Sequence, residues 1–156
     1  MGSDFSGRTF VLDSDLGLYW PAQETLIVSD LHLEKGSSFA RRGMMLPPYD
    51  TAATLARLTQ VVMRLRPRVV IALGDSFHDR DAGERLSTED ATRISALQAG
   101  REWIWISGNH DPQISPRVGG ERRAYLMFLN NGGFFTCSRQ DTMSCYAVAS
   151  PRQIGR

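Results

Sequence analysis

Cysteine, histidine and lysine are scarce in this chain, and their scarcity excludes several classes of protein. Among 156 residues there are 2 cysteines and 3 histidines, and Lys35 is the only lysine. Cys137 and Cys145 are too few for a disulfide framework, and their spacing is not that of a zinc knuckle. We therefore expect two free thiols, and a basic character that comes almost entirely from arginine.

Long apolar runs are also missing. The apolar runs, such as residues 69–73, have at most six residues, whereas a membrane-spanning helix needs about 20 apolar residues. The N-terminal residues contain no apolar stretch of signal-peptide length. We therefore predict a cytoplasmic protein without a membrane partner. The pattern predicts no particular oligomeric state.

Neither sign of charge dominates. The formal net charge is +1, so composition alone indicates no polyanionic partner. Apolar residues make up 42% of the chain and charged residues 22%, as in ordinary globular proteins. A chain of this length can form one domain with a hydrophobic core but is too short for two domains that each have a sizeable core. We expect one domain over residues 1–156.

Three short β-type segments are each followed by a cluster of polar residues. The segments are predicted over residues 25–28, 68–73 and 102–107. The clusters contain Asp30 and His32, Asp75 and His78, and Asn109 and His110. Predicted helices separate the segments, and this alternation indicates an α/β fold with parallel neighbouring strands. Ligands collect at the carboxyl ends of such strands, so we expect the clusters to meet at one sheet edge.

Two predicted helices and two other local structures complete the pattern. The first helix begins near Asp50 and ends before Pro67, with Leu55, Leu58, Val62 and Leu65 on its apolar face. The second begins after Ser87, where Asp90 completes a capping box, and ends near Gly100. Residues 34–48 are predicted to form a long loop. Residues 10–12 and 18–20 are predicted to pair as a hairpin.

Two of the clusters contain carboxylates that could bind a cation. Asp30 and His32 are two positions apart, and on an extended segment their side chains point the same way and could converge on one ion. The pattern is also common on surfaces that bind no ion. Asp75 follows a glycine that permits a tight turn, and its two oxygens could bridge two cations. A simple Gly-Asp turn is the alternative.

The remaining polar residues suggest roles around a phosphate. His78 could donate a hydrogen bond to a phosphate oxygen. The amide oxygen of Asn109 is a neutral, hard ligand that suits a second cation. His110 could protonate a leaving alkoxide, because histidine exchanges protons near neutral pH. The alternative for Asn109 is a Gly-Asn turn with a polar neighbour.

Taken in order, Asp-x-His, Gly-Asp-x-x-His-Asp and Gly-Asn-His-Asp, each after a strand, resemble the motifs of the calcineurin-like metallophosphoesterases. The resemblance covers residues from about 10 to about 120. Residues 29–36, 41–43 and 73–79 are similar to the bacterial ligase-associated phosphoesterases of DNA repair. The Gly-Asp-x-Phe-His element is also similar to the nuclease subunit of double-strand-break repair complexes.

The resemblance implies a fold and a metal site. The fold is a β-sandwich flanked by helices. The site holds two divalent cations, for which manganese, iron and zinc are suitable. The ligands carried over from the family are Asp30, His32, Asp75 and Asn109, with Asp75 bridging the two ions.

The resemblance also implies a reaction on phosphodiester bonds, with DNA or nucleotides as candidate substrates. His110 is then the general acid, and His78 contacts the phosphate. Arg41 and Arg42 are predicted to bind a phosphate backbone, since the guanidinium forks suit that task; a solvated loop is the alternative. Many relatives place an aspartate where His78 stands, so Asp79 is left as a candidate to orient the catalytic histidine.

The sequence departs from the family pattern after residue 110. Relatives take further metal ligands from a later histidine and from a Gly-His-x-His element. Here the 3 histidines are His32, His78 and His110, which leaves the second cation with Asp75 and Asn109. Residues 121–156 also have no clear period. We expect a divergent tail, produced by a frameshift or truncation, and an incomplete second sheet.

Two hypotheses about function remain open. One is a metal-dependent phosphoesterase that activates water by a two-metal mechanism. The other is a catalytically impaired, truncated remnant of such an enzyme, with residual metal or nucleic-acid binding.

Overall fold

A computed structural model describes most of the chain. The described residues are 2–5, 8–13, 17–44, 50–108, 113–123, 126–130, 133–140 and 142–149. Within these ranges, the chain forms two sheets and several helices, and none of the helices has the length and apolar character needed to cross a membrane.

The larger sheet has seven strands, and their order in the sheet is their order in the chain. The first four strands pair antiparallel. The last four pair parallel, as the alternation of strands and helices predicts. The strands are β1 Gly2–Phe5, β2 Arg8–Asp13, β3 Gly17–Trp20, β4 Thr25–Val28, β5 Val69–Leu73, β6 Glu102–Ile106 and β7 Glu121–Arg123.

Four helices accompany the sheet among the described residues, together with a 3-10 turn over Pro21–Gln23. Helix α2 begins at the predicted position, and its predicted apolar face is confirmed, since Leu55 and Leu58 are buried. Ser87 caps α4 as predicted by accepting a hydrogen bond from the Asp90 amide. The helices are α1 Lys35–Arg41, α2 Asp50–Leu65, α3 Ala82–Arg85 and α4 Thr88–Gln98.

The parallel strands β4, β5 and β6 are largely buried on both faces, as expected of the middle of an α/β sheet. On one face, Val70, Trp103 and Trp105 pack with apolar residues of α2 and α4. On the other face, Ile71 and Ile104 belong to a second buried cluster.

A three-stranded antiparallel sheet contacts the larger sheet where the strand Gly133–Gln140 approaches β5. Its strands are β8 Leu126–Asn130, β9 Gly133–Gln140 and β10 Thr142–Ala149. The sequence did not predict them, because runs such as residues 126–129 are continuously apolar and show no alternation. The two layers agree with the predicted sandwich flanked by helices.

The prediction of a loop over residues 34–48 is wrong for the first half of this segment, because Lys35–Arg41 is helical. Glycine and two serines give this segment little intrinsic helix propensity. Contacts with the start of α2 hold it instead: the Gly36 amide donates to Asp50 Oδ2 over 2.9 Å. The predicted hairpin is confirmed, with Leu12 opposite Leu18 in β2 and β3.

Candidate metal centre

Two loops at the carboxyl ends of β4 and β5 are joined by their backbones. The His32 amide donates to the Asp75 carbonyl over 3.0 Å, and the Leu33 amide donates to the Ser76 carbonyl over 2.9 Å. The His78 amide returns a 2.9 Å bond to the Leu33 carbonyl. These bonds continue the parallel pairing of β4 and β5 beyond the strands, so the two loops have a fixed separation.

The joined loops bring together Asp30, His32 and Asp75, three of the predicted ligands. Their nearest ligand atoms all lie within 4.8 Å of one another, and His32 Nε2 is 3.6 Å from Asp30 Oδ1. Asp75 is buried, whereas the Asp30 side chain is 42% exposed. The group therefore has a buried floor and a side that opens to solvent.

This donor set fits a divalent transition metal. Carboxylate oxygens and a neutral imidazole nitrogen are the ligands that such ions take in proteins. Two donors of one ion at bond lengths of about 2.0–2.2 Å lie at most about 4.4 Å apart. The observed spacing is within a few tenths of an ångström of that limit, so Asp30, His32 and Asp75 form a potential metal-binding group.

The backbone of this group is left-handed, which the sequence did not predict. Asp30, His32 and Asp75 have φ values of 56°, 45° and 46°. The expectation that Asp30 and His32 converge on an extended segment is therefore wrong, and two left-handed turns bring them together instead. Non-glycine residues rarely adopt this conformation, and such strain clusters at functional sites.

His78 stands between this group and α1. Its ring centroid is 5.9 Å from that of His32, in an edge arrangement, and 5.6 Å from that of Phe39. The side chain is half-buried. His78 is thus next to the candidate ligands, as its predicted role requires. Asn109 and His110, the other predicted site residues, lie outside the described residues.

Asp79, the candidate to orient a histidine, is paired with Arg85. Arg85 Nη1 and Nη2 donate to the two carboxylate oxygens over 2.9 and 2.7 Å. Burial acts to raise the pKa of Asp79, but hydrogen bonds from Arg85 and Ser38 and the charge of Arg85 lower that pKa to about 2. Sequence reasoning missed Arg85, because no motif spacing connects it with Asp79.

A cleft of about 460 Å³ is lined in part by Asp79, the residue that follows His78 in the chain. Arg41 and Arg42, the predicted phosphate-binding residues, both line it, and both are exposed. Arg41 Nη1 is 3.3 Å from Asp81 Oδ2. The full lining is Ser38, Arg41, Arg42, Asp79, Arg80 and Asp81. Arg80, which the sequence analysis did not single out, adds a third guanidinium to the cleft.

Comparison with known proteins agrees with this geometry. The model of the calcineurin-like phosphoesterase family matches residues 24–152, more than half of the chain. Among solved structures, the chain is similar to the Pseudomonas putida nuclease MPE, with 26% sequence identity and a TM-score of 0.61. That match covers 79% of this chain but only 58% of the nuclease chain. No curated protein matches the sequence. Because the family model matches more than half of the chain, the chain belongs to the calcineurin-like phosphoesterase family.

Proposed function

We propose that this chain is a metal-dependent phosphoesterase that hydrolyses phosphodiester bonds beside Asp30, His32 and Asp75. One observation carries the proposal: these three donors lie within 4.8 Å of one another in a chain of this family. The strained backbone at all three positions supports it, because a fold that needed only a turn there would favour glycine.

The three donors would hold the first cation, and Asp75 would also be a ligand of a second. Asn109 is the further ligand that we assign to the second cation. Manganese, iron and zinc all suit this mixture of oxygen and nitrogen donors. When bound, such ions lower the pKa of water and polarise a phosphoryl oxygen.

The histidines act on the phosphate itself. His78, whose ring lies beside His32, donates a hydrogen bond to a non-bridging phosphate oxygen. His110 gives a proton to the leaving oxygen as a general acid, a role for which histidine is the side chain most often used. Asp79 is paired with Arg85, so its part is to fix the loop that carries His78.

The neighbouring cleft binds the phosphodiester on either side of the reacting group. Arg41 and Arg42 line this cleft and are exposed, and arginine binds phosphate oxygens in pairs. DNA or nucleotides are the proposed substrates. The similarity to the structure of a nuclease supports this choice. We propose a cytoplasmic location. The motifs are most similar to those of the phosphoesterases of DNA repair.

A second candidate is a catalytically impaired form of the same enzyme. The observation that favours it is the absence of histidine beyond His110 in the sequence. With Asp75 and Asn109 alone, the second cation would be weakly held, and the clamp on attacking and leaving oxygens would be lost. A single domain with a divergent tail over residues 121–156 remains part of this alternative.

Hydrolysis of bis(p-nitrophenyl) phosphate tests the proposal. We expect slow hydrolysis that depends on manganese and is abolished in Asp75→Asn, because the amide removes the negative charge at the shared position. Asp90→Asn, the same change at the start of α4, is the matched control and should retain the rate. Manganese binding without turnover would favour the impaired form, and a chain that binds none of manganese, iron and zinc would contradict metal-dependent activity at this site.

A further inference from the structure

Arg85 makes three hydrogen bonds from one guanidinium. Two of them form the fork to Asp79, and Nε donates the third to Ser37 Oγ over 3.0 Å. The Arg85 side chain is 16% exposed, so these bonds are largely shielded from water. A planar guanidinium fixes all three partners in one geometry, which the point charge of a lysine cannot do.

Ser37 passes this connection into the interior. Its hydroxyl accepts from Arg85 and donates to Glu34 Oε2 over 2.6 Å. The other carboxylate oxygen of Glu34, Oε1, accepts a 3.1 Å hydrogen bond from the Thr51 hydroxyl. The same hydroxyl accepts a 2.8 Å hydrogen bond from the Glu34 amide. Glu34 is only 8% exposed. Burial of a carboxylate is costly unless its oxygens are hydrogen-bonded. The bonds from Ser37 and Thr51 therefore hold the Glu34 side chain in one position.

The two ends of the network are on the two ligand-bearing loops. Glu34 follows His32 by two residues, and Asp79 follows Asp75 by four. Arg85 is connected to both, to Asp79 directly and to Glu34 through Ser37. The side-chain network thus adds a second connection to the backbone bonds between the loops.

The loops need such support because their backbone is strained. Glu34 itself has a φ of 65°, in addition to the left-handed values at Asp30, His32 and Asp75. A left-handed non-glycine residue is strained and persists only where its surroundings fix it. Near the site, the Arg85 and Glu34 contacts are such surroundings.

We propose that Arg85 is a positioning residue, which holds the loops of Asp30, His32 and Asp75 in their metal-binding geometry through Asp79, Ser37 and Glu34. This inference rests on the proposed function, since it assumes that the group binds a cation. Arg85 acts through these partners, and its effect is on the spacing of the ligands.

Manganese binding by the full chain is the test, measured by the electron paramagnetic resonance signal of free Mn²⁺. Arg85→Gln should raise the Kd for Mn²⁺ about tenfold, the lower end of what partners that orient metal ligands contribute. Arg85→Lys keeps the charge but loses the fork, and should raise the Kd similarly. Arg93→Gln, which breaks an exposed arginine–carboxylate pair with Glu89 on α4, is the matched control and should leave the Kd unchanged.

The visible absorption of bound Co²⁺ adds a readout that a loss of global stability does not change. We expect altered band positions in Arg85→Lys, in protein that circular dichroism shows to be folded. An unchanged Kd and spectrum in the lysine variant would overturn the positioning role, even if the glutamine variant did not fold. If the wild-type chain binds neither Mn²⁺ nor Co²⁺ nor Zn²⁺, the proposed function fails, and this inference fails with it.

Discussion

The amide nitrogen of His32 donates a 3.0 Å hydrogen bond to the carbonyl oxygen of Asp75, so two candidate ligands are joined through their backbones. An isolated parallel bridge between Leu33 and Phe77 follows directly. Both ligands have almost the same left-handed φ, 45° and 46°. Because this pairing involves no side-chain atom of either residue, the spacing of the ligands is set before a cation binds.

Substitutions at Asp30 should separate backbone strain from ligation. With a φ of 56°, Asp30→Gly should be more stable than Asp30→Ala by about 1 kcal/mol, since glycine adopts this conformation without a steric penalty. Both should lose affinity for manganese. Urea denaturation measures the first effect and metal titration the second. Equal stability of the two variants would show that the strain at this position is negligible.

Acid should reveal the contribution of Asp79. The pKa of Asp79 is lowered to about 2 in the fold, so its ionised carboxylate stabilises the folded state. This stabilisation is complete above about pH 4 and is lost as the pH falls through about 2. Asp79→Asn should therefore lower the free energy of unfolding at neutral pH by about 1 kcal/mol, allowing for solvent screening of the partly exposed pair. The difference between wild type and variant should vanish near pH 2. A difference that is independent of pH would contradict the assignment.

Replacement of both Arg41 and Arg42 by alanine should weaken nucleic-acid binding and flatten its dependence on salt. Each lost phosphate contact reduces the slope of log K against log salt by about 0.7–0.9, so the pair should reduce it by about 1.5. Fluorescence anisotropy with a labelled oligonucleotide measures the slope. The control is Arg66→Ala with Arg68→Ala, two exposed arginines before β5. An unchanged slope in the Arg41 and Arg42 variant would show that the cleft does not bind nucleic acid.

Arg122 should stabilise the segment that precedes β7. Its guanidinium donates to the carbonyls of Ile114, Ser115, Val118 and Gly120. Lysine cannot reach these together, so Arg122→Lys should lower the free energy of unfolding by about 1–2 kcal/mol. Amide exchange at Val118, which donates to Ser115, should become faster. Arg123→Lys, which changes only an exposed pair with Glu121, should have little effect on either measurement.

The sequence predicted those parts of the fold that depend on local pattern. Strand β4 was predicted at its observed bounds, and β5 and β6 within one residue at an end. The cap of α4 was also predicted, because Ser87 and Asp90 interact within one turn. Convergence of Asp30, His32 and Asp75 followed from the rule that parallel strands present their carboxyl ends at one edge.

Features that depend on distant contacts were not predictable in this way. Helix α1 exists because Asp50 and Thr51, from another helix, bind its first turn. The left-handed conformation at Asp30 and His32 has no signature in their identities, although both residue types tolerate it. Arg85 lies 48 residues from Ser37, and no periodicity relates two such positions.

The strand order of the large sheet follows chain order from β1 to β7, which has a consequence for assembly during synthesis. Each strand of this sheet after β1 pairs with the strand that precedes it in the chain, so its edge can form before later residues are made. Asp30, His32 and Asp75 are all present once β5 has joined, before β6 and β7 are made. A cation that binds this trio would stabilise a nascent intermediate as well as the final fold, because any ligand favours every state that binds it. Metal supply would then influence the yield of folded chains, independently of catalysis.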